Sequence, residues 1–111
     1  MPPTTPHIEL LYFDGCPNHH NAEELLQEVL AEENIQSPII RVRVETPEDA
    51  VSQRFLGSPT IRLNGEDIDP AEDDGQYSLR CRVYRINSKL SGVPDKEMIR
   101  SALQRALTRT T

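Results

Sequence analysis

The chain has 111 residues, which suits one domain and is too short for two. With 36% hydrophobic and 27% charged residues, it has the composition of a folded, soluble protein rather than a disordered one. Its formal net charge of −6 argues against non-specific binding to nucleic acid, because phosphate repels an acidic surface. The basic cluster of Arg80, Arg82 and Arg85 is too short for a nucleic-acid footprint.

The sequence carries no signal for a membrane or for secretion. No apolar run reaches roughly 18 residues, the length that crosses a bilayer. Residues 1–6 have neither a basic start nor an apolar stretch, and we interpret them as a flexible arm. We therefore expect a cytoplasmic protein. Its two cysteines, Cys16 and Cys81, are too few for a disulfide framework and are expected to be thiols in a reducing compartment.

The first half of the chain predicts strand, helix, strand and helix in that order. Residues 7–13 hold a continuous apolar run, typical of a strand covered on both faces. Residues 18–33 place apolar side chains on one helical face and glutamates on the other. Residues 39–45 alternate between apolar and basic positions, which predicts a strand near a sheet edge. A short helix is expected over residues 47–56, because Thr46 is a good N-cap.

The second half begins with a hairpin and ends with a helix. Residues 60–69 predict the hairpin, because Asn64 and Gly65 both tolerate the positive φ angles of a two-residue turn. The remaining patterns predict an acidic loop, a strand, a second loop and an amphipathic helix, over residues 70–78, 79–86, 88–93 and 94–108.

This order of elements predicts an α/β fold with one four-stranded mixed sheet and three flanking helices. A helical crossover joins two parallel strands, and the hairpin that follows adds antiparallel ones. We expect residues 7–111 to form a single domain in which residues 70–93 are an insertion before the last helix.

Cys16 is the main candidate for a chemical role. It lies between the first strand and the first helix, in the run Asp14-Gly15-Cys16-Pro17-Asn18-His19. A sulfur at a helix N-terminus faces free N–H groups and the positive end of the helix dipole, which favour the thiolate. We expect His19 to sit beside Cys16 and tune its ionisation. A buried structural cysteine is the alternative, but a turn between strand and helix is usually exposed, which favours a reactive thiol.

Pro59 is the second feature of note. The run Gly57-Ser58-Pro59-Thr60 directly precedes a predicted strand, and proline belongs at a strand's first position because it cannot donate to the ladder. A tight turn of this kind is where a cis proline occurs. An ordinary trans proline that ends the preceding helix is the alternative.

These two motifs together resemble the thioredoxin-like superfamily over residues 7–69 and 94–108. The chain is more closely similar to short bacterial thioredoxin-family proteins that share its GCPN and GSPT stretches and a Cys-Arg-x-Tyr segment, here starting at Cys81. Some of those proteins carry an alkylmercury lyase label. The resemblance implies a cis proline that faces the motif cysteine and helps to hold the substrate's backbone. The residues it implies for substrate contact are Pro17, Ser58, Pro59 and Thr60.

His19 marks a departure from the thioredoxin motif, which is Cys-x-x-Cys. The usual resolving thiol is absent, so a dithiol shuttle within the motif is impossible. What remains is monothiol chemistry at Cys16: attack on a disulfide, glutathionylation or reaction with peroxide. The expected partner is a protein or small-molecule thiol or disulfide, and no cofactor is expected.

Cys81 has two possible roles. The predicted strand directions bring the start of the 70–93 insertion to the end of the sheet where Cys16 lies. Cys81 could return there as a resolving thiol or as a second metal ligand. Alternatively, it lies buried among Leu79, Val83 and Ile86.

A metal site and a redox site compete for the same residues. The spacing from Cys16 to His19 is compatible with zinc. Neighbouring His19 and His20 point about 100° apart on a helix, however, so they rarely share one ion. We therefore expect no metal and place His20 on a solvated face. The leading hypothesis is a thiol-redox protein; the alternatives are a soft-metal or organomercurial-binding protein using Cys16 and Cys81, and a non-catalytic thioredoxin-fold module.

Overall fold

A computed structural model describes residues 6–70 and 73–109. Four strands form one mixed sheet in the spatial order β2-β1-β3-β4, which confirms the predicted four-stranded sheet. The central strand β1 runs parallel to β2 and antiparallel to β3. The strand bounds are β1 Ile8–Tyr12, β2 Ile39–Arg43, β3 Thr60–Leu63 and β4 Glu66–Asp67.

Three helices pack on the two faces of this sheet, as predicted. They are α1 (His19–Glu32), α2 (Pro47–Ser52) and α3 (Lys96–Arg109). The apolar faces of α1 and α3 share one core cluster with β1 and β3. A smaller cluster on the other face joins β1 to α2. Within the described residues, no helix has the length and apolar character needed to cross a membrane.

The first strand owes its central place to side chains buried on both faces. Leu10 packs into the cluster with α1 and α3, whereas Leu11 packs into the cluster with α2. Both side chains are fully buried. Alternate residues of a strand point to opposite faces, so a continuous apolar run fits only a strand covered on both sides. This position of β1 brings the residues after Tyr12 to one end of the sheet.

The second helix ends earlier than expected. We predicted a helix over residues 47–56, but α2 ends at Ser52. Arg54 adopts a left-handed backbone with φ of 52°. This turn directs Phe55 into the core, where it is fully buried. Burial of a large aromatic side chain therefore outweighs continuation of the helix.

The first hairpin forms as predicted. Asn64 and Gly65 have φ angles of 54° and 82°, which are the positive values that a two-residue turn between antiparallel strands requires. The returning strand β4 is only two residues long, so the chain leaves the sheet soon after the turn.

The insertion differs from the prediction in two ways. The strand expected over residues 79–86 is confined to Tyr84–Ile86 (β5), and the loop expected over residues 88–93 contains a strand at Lys89–Ser91 (β6). These two strands pair with each other in a separate hairpin. Its turn residues, Asn87 and Ser88, have φ angles of 51° and 67°. Serine rarely signals such a turn, so the local sequence gave little indication of it.

A buried arginine ties the insertion to the main sheet. The Arg82 side chain is 2% exposed and forms a two-pronged ion pair with Asp67, with N–O distances of 2.6 and 2.9 Å. Its guanidinium also donates to the carbonyl of Asp69 and lies over the ring of Tyr84, 4.6 Å from the ring centroid. Paired, planar contacts of this kind hold a guanidinium in one orientation. The part of the insertion around Arg82 is thus held against the main sheet.

Of the predicted N-terminal arm, residues 1–5 lie outside the described part of the chain, and Pro6 is buried.

We expect Asp67→Ala to destabilise the fold by about 3 kcal/mol, because it leaves the buried Arg82 charge without its carboxylate. Denaturant unfolding followed by circular dichroism measures the difference. Asp74→Ala is the matched control: its ion pair with Arg80 is exposed and should be worth less than about 1 kcal/mol. Equal losses in the two variants would contradict the anchoring role of Arg82.

Candidate thiol site

Cys16 lies in the turn between β1 and α1, but its side chain is turned inward. The turn is closed by a hydrogen bond from the Cys16 N–H to the carbonyl of Phe13, at 3.2 Å. Gly15 and Pro17 on either side are exposed, whereas Cys16 is only 2% exposed. The expectation of an exposed thiol was therefore wrong, because the turn itself is exposed but the sulfur points towards the sheet.

The sulfur of Cys16 contacts the loop that contains Pro59. Cys16 Sγ donates a hydrogen bond to the carbonyl oxygen of Ser58, at 3.3 Å. The Ser58–Pro59 peptide bond is cis, which confirms the prediction made for it. Ser58 is fully buried, so its main-chain groups depend on partners from the protein itself.

Those partners come from residues 80–82, which we call the paired segment. The Ser58 N–H donates to the carbonyl of Arg80 at 2.8 Å, and the Arg82 N–H donates to the carbonyl of Ser58 at 2.9 Å. These bonds form an isolated parallel bridge between Ser58 and Cys81. The Ser58 carbonyl therefore accepts hydrogen bonds from both Cys16 and Arg82, and Cys81 lies beside Cys16.

Gly57 allows this close approach of the two chain segments. Its φ angle is 127°, a conformation that favours glycine. A Cβ atom at this position would lie 2.8 Å from the backbone nitrogen of Arg82 and 3.0 Å from the carbonyl oxygen of Arg80. Both neighbours are backbone atoms that are already hydrogen-bonded to Ser58, so any larger residue would push the paired segment away.

Cys81 is exposed, and both cysteines are free thiols. The exposed position rules out the alternative in which Cys81 is buried among apolar neighbours of the insertion. Partial loss of water around its sulfur raises the pKa of Cys81, and the negative charge of Cys16 and a hydrogen bond with Cys16 raise this pKa further. The two thiols therefore influence one another, as expected of a pair at the same end of the sheet.

His19 packs against aromatic neighbours. Its ring stacks on Tyr12 with 4.6 Å between centroids, and the centroid of the His20 ring lies 4.1 Å from that of His19. Burial and the charge of His20 lower the pKa of His19, although Asp14 and Glu23 oppose this effect. In the described part of the chain, no hydrogen bond joins His19 to Cys16. The tuning role of His19 stays a prediction, whereas His20 is exposed as expected.

The other residues implied for substrate contact divide into exposed and buried ones. Pro17 is exposed, but Pro59 and Thr60 are buried beside Ser58. The carbonyl of Pro59 accepts a hydrogen bond from the Tyr84 hydroxyl at 2.6 Å. The Thr60 hydroxyl donates to the carbonyl of Gly57 at 2.6 Å. The loop before β3 is thus held by internal bonds on several sides.

Arg82 and Tyr84 are site residues to which sequence reasoning assigned no role. Arg82 pairs with the main chain of Ser58, and Tyr84 fixes the carbonyl of Pro59. Both belong to the Cys-Arg-x-Tyr segment, which contributes to the sequence resemblance but predicts no role for either side chain. An arginine among apolar and aromatic neighbours was the available signal, since a buried guanidinium needs several partners.

Within residues 6–70 and 73–109, the structure groups no three histidine, cysteine or acidic side chains that could hold a metal ion. The chain matches no protein-family model, no curated protein and no solved structure. The description of the site therefore rests on its geometry: a mixed α/β domain that holds two neighbouring thiols, one buried and one exposed, at one end of its sheet.

We expect Cys16→Ser to lower the pKa of Cys81, because it removes the neighbouring sulfur, whose electrostatic influence adds to the partial loss of water in raising that pKa. The alkylation rate of Cys81 by iodoacetamide follows its thiolate fraction, so its pH profile should move to lower pH. Mass spectrometry of the alkylated peptide measures the profile. Ser52→Ala, on the exposed face of α2, should leave it unchanged. An unshifted profile in Cys16→Ser would mean that the two thiols do not interact.

Proposed function

We propose that this chain is a thioredoxin-like thiol–disulfide redox protein in which Cys16 and Cys81 form the reactive pair. One observation carries the proposal: the main chain of Ser58 holds both cysteines. Its carbonyl accepts from Cys16 Sγ, and its two polar groups are bonded to the residues on either side of Cys81. Two thiols kept together in this way can exchange between the dithiol and an intramolecular disulfide.

The arrangement of elements supports the thioredoxin-like part of this proposal. A crossover helix joins the parallel strands β1 and β2, and an antiparallel hairpin and a final helix complete the domain. The candidate nucleophile follows β1, and the cis proline precedes β3. These are the positions that the resemblance to the superfamily implies.

Cys81 supplies the second thiol that the motif lacks. His19 occupies the position of the usual resolving cysteine, so Cys16 alone could only form mixed disulfides. With Cys81 beside it, the chain can transfer two electrons: the two protein thiols become one disulfide, and an external disulfide becomes two thiols, which take up the two protons released. The partner class is a thiol or disulfide of a protein or a small molecule.

The test is oxidation of the reduced protein by a small disulfide. We expect free thiols to fall from two to none per chain without dimerisation, and proteolysis should yield a peptide linked through Cys16 and Cys81. Cys81→Ser is the control, since it can form a mixed disulfide but no internal bond. Stable attachment of a small thiol to each cysteine of the wild type, with no linked peptide, would refute the proposed cycle.

A soft-metal function is the second candidate, and the pair of adjacent thiols favours it. Thiolates select soft ions such as Cu(I), and they also bind mercury. Because the described residues offer no third ligand beside the thiols, such an ion would be held by Cys16 and Cys81 alone. Retention of one Hg(II) per chain against excess glutathione, lost in Cys81→Ser, would support this role. Ready transfer of the ion to glutathione would exclude it.

A further inference from the structure

The two cysteines differ sharply in their access to solvent. Cys16 is 2% exposed, whereas Cys81 is exposed at the surface. The sulfur of Cys16 points to the carbonyl of Ser58, and the paired segment (residues 80–82) crosses that same peptide group. An external molecule that approaches this end of the sheet therefore encounters Cys81 before Cys16.

The paired segment is fixed by more than its two bonds to Ser58. On one side of Cys81, Arg80 Nε donates to the carbonyl of Leu56 at 3.2 Å. On the other side, the buried Arg82 is paired with Asp67. Gly57 lies so close beneath the segment that no side chain fits between them. Access to Cys16 from outside thus requires several contacts to break together, which makes the open state rare.

From this geometry we propose that Cys81 is the entry thiol, which reacts first with the external disulfide, and that Cys16 is the resolving thiol. This order is the reverse of the one that the resemblance implies for a motif cysteine. The proposal rests on the thiol–disulfide function proposed above and assigns the order of its two steps.

In the first step the Cys81 thiolate attacks one sulfur of an external disulfide. A bond forms between that sulfur and Cys81 Sγ, the S–S bond of the external molecule breaks, and one thiolate leaves. In the second step the Cys16 thiolate attacks Cys81 Sγ and displaces the second external thiolate. The protein thiols supply two protons and two electrons, and the external disulfide is reduced to two thiols.

The position of Ser58 also limits what the external partner can be. Its N–H and its carbonyl are already bonded to Arg80 and Arg82, so an incoming peptide finds no free main-chain edge there. The partner must be recognised at the exposed face of Cys81 instead. A low-molecular-weight disulfide fits this requirement, because it needs no strand pairing to reach the sulfur.

The charged groups near Cys81 do not favour its thiolate. Arg80 is paired with Asp74, and Arg82 is paired with Asp67, so neither cation is free to stabilise it. The pKa of Cys81 is also raised, by partial loss of water and then by Cys16, and this slows its reaction at neutral pH. The order of reaction is therefore decided by access, and it is measured best at a pH where both thiols are ionised.

Two single-cysteine variants test the order. The probe is bis(2-hydroxyethyl) disulfide, which is small and uncharged, and mass spectrometry follows the mixed disulfide with time. In Cys16→Ser, the rate constant for mixed-disulfide formation at Cys81 should lie within about threefold of the rate constant for the first step in the wild type. In Cys81→Ser, Cys16 should react at least about tenfold more slowly in the high-pH plateau, because opening must precede reaction. Equal plateau rates, or a faster Cys16, would overturn the proposal.

A second variant tests why Cys16 is slow. In the Cys81→Ser background, the double substitution Arg82→Gln and Asp67→Asn removes the anchor without leaving a buried charge unpaired. It should raise the rate at Cys16 towards that of Cys81. Arg85→Gln, on the exposed face of β5, is the matched control and should change nothing. An unchanged rate in the double variant, with the fold intact by circular dichroism, would contradict shielding by the paired segment.

The outcomes separate this proposal from the function on which it rests. A Cys16–Cys81 disulfide in the oxidised wild type, together with faster reaction at Cys16 than at Cys81, would refute only the order. Absence of that disulfide would refute the redox cycle, whichever thiol reacts faster with the probe.

Discussion

The main-chain N–H and carbonyl of Ser58 join three parts of the chain that are far apart in sequence. Its carbonyl accepts hydrogen bonds from Cys16 Sγ and from the Arg82 N–H, and its own N–H donates to Arg80. Because Ser58 is fully buried, water cannot replace these partners, and each one left unmade would cost roughly 1–3 kcal/mol. The proximity of the two thiols accompanies the need to satisfy both buried main-chain polar groups of Ser58.

The buried charge of Arg82 helps to fix the position of the insertion relative to the loop that contains Ser58. A guanidinium that is 2% exposed needs a carboxylate, and Asp67 at the end of β4 provides one. The ring of Tyr84 lies against the guanidinium, and the Tyr84 hydroxyl binds the carbonyl of Pro59. The short strand β4 and the insertion are therefore held together, and the loop before β3 has little freedom. A site built on such contacts keeps its two sulfurs adjacent without a metal or a disulfide.

Local sequence patterns correctly predicted the elements whose structure depends mainly on their own residues. The double-sided apolar run of β1 requires cover on both faces, and Asn64 and Gly65 adopt the positive φ angles of a tight turn. The same reasoning failed where a contact with residues distant in sequence determines where an element ends or whether it forms. The helix α2 ends early because Phe55 is drawn into the core, and β6 forms because β5 offers it a partner. The residues of α2 and of β6 contain no local pattern that indicates either contact.

The sequence by itself determined that Cys16 follows the central strand and precedes a helix, that a histidine and not a second cysteine stands three residues after Cys16, and that the strand directions return the insertion to the same end of the sheet. Only the tertiary structure decided which thiol is enclosed. The sulfur of Cys16 is buried against the carbonyl of Ser58, whereas Cys81 is exposed on the segment that pairs with the same residue, and a buried ion pair between Arg82 and Asp67 adjoins that pairing. Solvent access is a property of the packed chain, so no local motif encodes it.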